Sequence, residues 1–180
     1  MESTSAQDEA ALVGAAKTDG EAFARLYDRH VQALYHYCYH RTNNVHDAED
    51  LTSQTFLAAL EAFPNYRRDG HFAAWLFTIA RNKVADHYRR RPHLPLEEST
   101  APPSTSNLAR DAETSQQNDI LLRLIRALPE DERELVRLRF VAELPFAEIA
   151  RVLRMSEDAA KKKLYRLLAR MKSQMEAGHE

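Results

Sequence analysis

Apolar residues recur along most of this chain at intervals of three and four, the spacing that places side chains on one face of a helix. The first stripe consists of Phe23, Leu26, Tyr27, His30, Leu34 and Tyr37. The second, which begins after Asn43 and Asn44 and ends before Pro64, consists of Leu51, Thr55, Phe56, Ala59 and Leu60. Two long helices are therefore predicted, and Asp47 can cap the second of them.

The same spacing continues on both sides of a proline-rich segment. A third helix is predicted from about Phe72 until Pro92 ends it, with Phe72, Leu76, Ile79 and Ala80 buried. Later stripes consist of Ile120, Leu121, Leu124, Ile125 and Leu128, and of Leu135, Leu138, Phe140 and Val141. Pro129 and the acidic residues after it suit the first turn of the helix that carries the last stripe. With only four glycines in the chain, these patterns predict an all-α fold.

The helical patterns form two blocks, so we predict two small helical domains joined by a flexible linker. The predicted parts are an N-terminal tail over 1–18, a first domain over 19–91, the linker over 92–118, a second domain over 119–175 and a C-terminal tail over 176–180. The linker lacks apolar periodicity and is rich in proline, serine and threonine. Five acidic residues and one basic residue lie within 97–119. Such acidity either serves solubility or has a function of its own.

Basic residues are clustered, although the chain as a whole carries a net charge of −2. Residues 81–91 contain five basic residues and one acidic residue, and residues 161–172 contain six basic residues and no acidic one. The second cluster follows a helix, tight turn, helix pattern. In that pattern the small Ala150 permits close helix packing and Ser156 can cap the last helix. Arg154 occupies the turn position where glycine is typical.

On a helical wheel the last helix has an apolar face and a cationic face. The apolar face consists of Ala160, Leu164, Leu167 and Met171. The opposite face consists of Asp158, Lys162, Tyr165, Arg166 and Ala169, and Lys161 and Lys163 flank it. A cationic helix after a tight turn is predicted to enter the major groove of DNA. The alternative is a solvated, amphipathic surface helix.

Few residues suggest catalysis or metal binding. The single cysteine, Cys38, excludes an internal disulfide and fits a reducing compartment. His36 and His40 have a helical ligand spacing but lack the glutamate that follows the first histidine in zinc hydrolases. Without a phosphate-binding glycine loop or a nucleophile–base set, we expect no enzyme, no cofactor and no metal. We also expect a cytoplasmic protein without membrane insertion, since no segment has the pattern of a signal peptide or a bilayer span.

Both blocks resemble one known family. The matching segments of the first block are 47–51 (DAEDL), 55–59 (TFLAA), 72–82 (FAAWLFTIARN) and 86–91 (DHYRRR). Those of the second are 128–130 (LPE) and 148–150 (EIA). In order and spacing they resemble regions 2 and 4 of the extracytoplasmic-function, or group IV, sigma factors of the sigma-70 family. The resemblance implies a protein that binds core RNA polymerase and directs promoter-specific transcription initiation.

In the first block the resemblance implies contacts with polymerase and with melted DNA. Glu49, Asp50 and Gln54 would bind the clamp helices of the polymerase β′ subunit, although the two acids also suit a helix N-terminus. Tyr66 would help wall a pocket for an extruded base of the −10 element, and Asn82 would hydrogen-bond that base. The DNA backbone would be held by Arg81, Lys83, Arg89, Arg90 and Arg91.

Two residues of the predicted third helix, Trp75 and Asp86, are assigned structural roles. Trp75 is predicted to be a buried anchor in preference to a wedge that melts the duplex. Asp86 is predicted to be a local salt-bridge partner.

In the second block the resemblance implies recognition of duplex DNA at the −35 element. The residues assigned to it are Lys161, Lys162, Lys163, Tyr165 and Arg166. This domain would also touch the polymerase β flap, the linker would enter the polymerase cleft, and an anti-sigma protein would hold the free factor inactive. The alternative is a stand-alone helix-turn-helix transcriptional regulator. Such a regulator would not need Glu49 and Asp50 beside a basic helix.

Overall fold

The structure is a computed structural model that describes residues 2–67, 70–90 and 120–177. Before the gap at 91–119 come α1 (Glu2–Ala15), α2 (Gly20–Thr42), α3 (Val45–Ala62), a 3-10 turn (Phe63–Asn65) and α4 (Phe72–Arg90). After it come helical residues 120–127 (α5), α6 (Glu130–Val136), a π-helical turn (Arg137–Val141), α7 (Phe146–Leu153) and α8 (Glu157–Ala177). These ranges contain no strand, which confirms the all-α prediction. The predicted linker over 92–118 and Arg91 lie outside them.

Helix α1 occupies most of the segment predicted to be a tail. It packs on α2 through Val13, which is buried, and Glu9 Oε2 lies 3.0 Å from His30 Nε2 and 3.5 Å from the Arg29 guanidinium. The prediction of a loose N-terminal tail is therefore wrong. The segment is polar and offers few apolar residues, so the contacts that hold it come from α2 and give no periodic signal of their own.

The ends of α2 and α3 are set by short polar side chains. Asp19 caps α2 by accepting a hydrogen bond from the Glu21 backbone N–H at 2.9 Å, and Asn43 ends the helix with a positive φ of 55°. Asn44 caps α3, because its side-chain oxygen accepts from the Asp47 N–H at 3.0 Å. The prediction that Asp47 is this cap is wrong. Asp47 lies in the first turn, where its charge suits the helix dipole.

The first block is built on the mutual packing of α2, α3 and α4. Leu26, Leu34, Tyr37, Leu76 and Phe77 are fully buried between these helices. Most of the predicted apolar stripes are thus confirmed as the core of this block, but the predictions for three of their members are wrong, because Tyr27 and Leu60 are 41% and 51% exposed and Ile79 is only half-buried. No helix within the described ranges is long and apolar enough to cross a membrane.

The second block packs around a π-helical turn. Leu135 and Leu138 are fully buried as predicted, but Phe140 is 55% exposed. The prediction that Phe140 belongs to the buried stripe is wrong, because the π turn at Arg137–Val141 adds a residue and rotates Phe140 away from the α-helical register.

The helix-turn-helix is confirmed in its local details. Arg154 follows α7 with a positive φ of 54°, and the Ser156 hydroxyl accepts a hydrogen bond from the Ala159 N–H at 3.1 Å at the start of α8. The predicted apolar face of α8 is buried. It consists of Ala160, Leu164, Leu167 and Met171.

Candidate nucleic-acid and polymerase interfaces

The five residues assigned to duplex DNA lie on α8, but they differ in how freely they face solvent. Tyr165 is 63% exposed, and Lys162 and Arg166 are also exposed. Lys161 and Lys163 are less free because both form ion pairs, Lys161 with Glu157 at 2.6 Å and Lys163 with Asp131. The three exposed residues without such pairs therefore form the centre of the cationic face, and the two paired lysines form its edges.

A second group beside this face was not predicted from the sequence. The Phe146 ring, at the start of α7, lies 6.4 Å from the Tyr165 ring, 5.3 Å from the Arg139 guanidinium and 5.9 Å from Lys161 Nζ. Cations over an aromatic face are held in place by its quadrupole. Phe146 thus orients two side chains of the predicted DNA surface, and Arg139 joins them. In the sequence, the only indication of this group is Phe146 itself, the phenylalanine that follows Pro145.

Tyr66 and Trp75 border an open cavity of about 400 Å³. Their rings are 4.7 Å apart, and Tyr66 also stacks on Phe63 at 5.9 Å. Asn65, Arg67, His71, Ala74, Thr78 and Arg151 line the rest of the cavity. Aromatic rings beside cationic side chains are the chemistry that binds unpaired bases. Trp75 is half-buried rather than buried, and it packs against Tyr66 as an anchor would.

The cationic residues assigned to melted DNA do not form one surface. Arg81 Nε lies 3.7 Å from Glu134 of the second block, and its side chain is 48% exposed. Asn82 is exposed, one helical turn beyond Thr78, but does not line the aromatic cavity. Lys83 and Arg90 face another cavity, between α3 and α4. Arg89 forms an ion pair with Asp86, which confirms the role predicted for Asp86.

The outer face of α3 combines acidic and apolar side chains. Glu49, Asp50 and Gln54 are exposed, and the Gln54 amide donates a hydrogen bond to Asp50 Oδ2 at 2.7 Å. Leu57 and Leu60, on the same helix, are 57% and 51% exposed. Exposed leucines beside carboxylates are typical of a protein-binding surface. The prediction that Leu60 belongs to the interior stripe is therefore wrong, and no sequence pattern marked Leu57.

Asp50 and Gln54 also border the cavity between α3 and α4. This cavity, of about 230 Å³, is lined as well by Leu51, Lys83, Asp86, His87 and Arg90. Two of the residues assigned to polymerase and two of those assigned to DNA thus meet at one place on the surface. His87 Nε2 lies 3.5 Å from Asp47 beside it.

The two blocks touch through two glutamates of the second block. Glu134, on α6, is 2% exposed and accepts hydrogen bonds from the Tyr37 hydroxyl at 2.6 Å and from Arg41 at 2.7 Å. Burial and the neighbouring Glu134 carboxylate raise the pKa of Tyr37 well above its ordinary value, so this phenol stays a donor. Glu148, on α7, accepts from the Ala74 N–H at 2.5 Å.

The histidine and cysteine side chains that the structure describes show no arrangement for metal chemistry. Within the described ranges, no three His, Cys, Asp or Glu side chains are grouped as a metal site. Burial, with Arg137 and His36 nearby, lowers the pKa of His40, so the neutral form is favoured. Burial raises the pKa of the Cys38 thiol to about 11.

Comparison with known proteins gives a consistent result for both blocks. Residues 26–93 match the family described as "Sigma-70 region 2", and residues 118–171 match the family described as "Sigma-70, region 4". The ECF RNA polymerase sigma factor ShbA of Streptomyces griseus is 34% identical over an alignment that covers 92% of this chain and 96% of ShbA. The ECF RNA polymerase sigma factor BldN of Streptomyces coelicolor is 41% identical over 154 residues. They cover 82% of this chain and 58% of BldN, so the match spans little more than half of that relative.

The fold has also been seen in a solved structure. CnrH, in complex with the cytosolic domain of CnrY, superposes with a TM-score of 0.67 at 25% identity. The superposition covers 94% of this chain and 97% of CnrH.

Proposed function

The chain belongs to the extracytoplasmic-function sigma factors of the sigma-70 family, and on that basis we propose that it directs core RNA polymerase to specific promoters. Its first domain binds polymerase through α3 and captures the melted −10 strand beside Tyr66 and Asn82. Its second domain binds duplex −35 DNA through the exposed face of α8. Binding energy opens the strands, and this chain performs no chemical step.

One observation carries this proposal: the chain combines an exposed acidic and apolar face on α3, an aromatic cavity beside α4 and a cationic face on α8. Recognition of duplex DNA needs only the cationic helix. The cavity bordered by Tyr66 and Trp75 suits unstacked bases, and a protein that binds only intact duplex DNA does not contact such bases. The acidic and apolar face of α3 suits a basic, partly apolar protein partner.

Holoenzyme assembly tests the polymerase face. Because Glu49 and Asp50 are exposed, reversing both charges (Glu49→Lys with Asp50→Lys) should leave the fold intact and weaken binding to core polymerase by about tenfold or more. Gel filtration of the chain with core polymerase at low salt measures this binding. A matched control is Glu21→Lys with Asp28→Lys, the same charge change at two exposed positions of α2. Equal assembly by both double variants would exclude α3 as the docking face.

We also propose a protein partner that holds the free factor. The resemblance implies an anti-sigma protein, and CnrH, which this chain resembles in fold, was solved with the cytosolic domain of CnrY. Co-purification of the tagged chain from its native host, followed by mass spectrometry, would identify such a partner. Recovery of polymerase subunits alone would contradict this part of the proposal.

A further inference from the structure

We propose that helix α1, through Val13, positions the aromatic cluster that borders the open cavity, and that this support sets how tightly an unpaired base is held there. The aromatic cluster consists of Phe63, Tyr66, Phe72 and Trp75. The effect on base binding rests on the proposed function, whereas the support itself can be measured without DNA or polymerase. The match to Sigma-70 region 2 begins at residue 26, so α1 lies outside it.

The four rings of the aromatic cluster all contact one another. Their centroids are separated by 4.7 Å, for Tyr66 and Trp75, to 6.3 Å, for Phe63 and Trp75. Trp75 is half-buried and the other three rings are buried. Because the rings pack edge-on and offset against each other, the position of each depends on its neighbours. A shift of Tyr66 or Phe72 therefore changes the wall of the open cavity.

Helix α1 meets the aromatic cluster at a second, smaller cavity of about 40 Å³. The residues that line it are Glu9, Ala10 and Val13 of α1, with Tyr66, Gly70 and Phe72. Val13 is buried, with 5% of its surface exposed, and Tyr66 borders both this cavity and the open one. The small free volume limits how far the Tyr66 ring can move towards α1. Val13 thus supports the ring against which a base would stack.

Two polar contacts hold α1 and the residues after it beside the aromatic cluster. Glu9 Oε2 lies 3.0 Å from His30 Nε2, and the His30 ring lies 5.5 Å from the Phe72 ring. Lys17 Nζ donates a hydrogen bond to the Pro64 carbonyl at 3.4 Å, within the 3-10 turn that precedes Tyr66. The N-terminal segment therefore contacts the chain on both sides of the Tyr66 ring, at the 3-10 turn and at the start of α4.

Hydrogen exchange, followed by NMR on the full chain, tests the support directly. The Tyr66 N–H donates to the Phe63 carbonyl at 3.0 Å, so its exchange reports on the turn that carries the Tyr66 ring. Val13→Ala should lower the protection of this amide by about tenfold, and that of Val84, which is fully buried on α4, by much less. Leu12→Ala is the matched control, because Leu12 packs on the core from the same helix but lines the groove between α1 and α2 instead of the small cavity. It should leave the protection of Tyr66 unchanged.

Binding of single-stranded DNA tests the consequence for function. The chain assembled with core polymerase is titrated against a labelled single strand of about 12 random nucleotides, and anisotropy measures the affinity. Val13→Ala should bind about fivefold more weakly than the wild type, because the ring on which a base stacks is less well fixed. Leu12→Ala should bind as the wild type does.

The outcomes separate the two proposals. Circular dichroism checks that the variants are folded, and if Val13→Ala loses helix, Lys17→Met, at an exposed position, should still lower the protection of Tyr66 by about threefold. Unchanged protection of Tyr66, an equal loss at Tyr66 and Val84, or an equal loss in Leu12→Ala would overturn the support by Val13. Lower protection with unchanged single-strand binding would overturn the effect on base binding. If Tyr66 depended on Val13 in a chain that never binds core polymerase, the proposed function would be contradicted and the support by α1 would stand.

Discussion

At the scale of single residues, the turn between α7 and α8 shows how backbone strain is offset. Arg154 has a φ of 54°, in the left-handed region where a Cβ atom is unfavourable. Two hydrogen bonds support this conformation: Met155 N–H donates to the Ala150 carbonyl at 2.9 Å, and Arg154 N–H donates to that of Arg151 at 3.2 Å. They satisfy carbonyls at the end of α7 that would otherwise lack partners. The turn between α7 and α8 is thus made by a residue in a strained conformation.

Replacing Arg154 by glycine should stabilise the protein. Glycine adopts this φ without a Cβ clash, and after its larger unfolded-state entropy is subtracted, the free energy of unfolding should rise by about 0.5–1 kcal/mol. Chemical denaturation followed by circular dichroism measures the change. Arg154→Ala keeps the Cβ and should bring no such gain. A glycine variant no more stable than the alanine variant would show that the turn is unstrained.

Cys38 should be inert in the folded protein. Burial raises the pKa of its thiol to about 11, against smaller opposing effects of Thr52 and Arg41, so at neutral pH almost no thiolate exists. Mass spectrometry should find no alkylation after incubation with iodoacetamide at about pH 8, and complete alkylation once the protein is denatured. Rapid modification of the native chain would mean that the α2 core opens readily.

At the scale of helices, apolar periodicity was sufficient where one face of a helix is buried and the other is solvated. It placed α2, α3 and α4 and the two faces of α8. It missed α1, which attaches to α2 through few apolar residues, and it misplaced Phe140, because the π turn changes the register locally. The cap of α3 was also misassigned, since Asn44 and Asp47 are both able to cap and only the backbone geometry decides between them.

The candidate sites were predictable to the extent that they lie on one helix. The α8 residues share a face as predicted, and their exact roles stay predictions. The residues assigned to melted DNA scatter, because Arg81 is attracted by Glu134 and Lys83 and Arg90 turn towards α3. The group around Phe146 combines residues from three elements. Contacts between residues of different helices depend on how those helices pack, and a local sequence pattern does not predict that packing.

Helix α8 allows a matched test of duplex recognition. Arg166→Ala should lower initiation at −35-dependent promoters by about tenfold, since an arginine at a base edge contributes about 1–3 kcal/mol. Assembly with core polymerase should be unaffected. Lys172→Ala is the control, because Lys172 is exposed on the same helix and pairs only locally, with Glu176 at 3.8 Å. Equal initiation rates for the two variants, measured by abortive transcription, would remove Arg166 from the DNA surface.

At the scale of the whole molecule, the two domains form one connected core in the described residues. Two glutamates of the second domain complete polar contacts of the first, and those contacts involve the helices that are proposed to carry the DNA-binding surfaces. In sequence, Glu134 is one of several acids after Pro129, and nothing marks it as the partner of Tyr37, which lies 97 positions earlier.

The decisive experiment is run-off transcription from a library of linear promoter fragments, with purified bacterial core polymerase and this chain. We predict that defined transcripts arise only when both proteins are present, and that the DNA upstream of their start sites shares −35 and −10 elements. If the chain bound linear duplex DNA by itself and left initiation by core polymerase unchanged, it would be a stand-alone regulator, and the proposed function would be wrong.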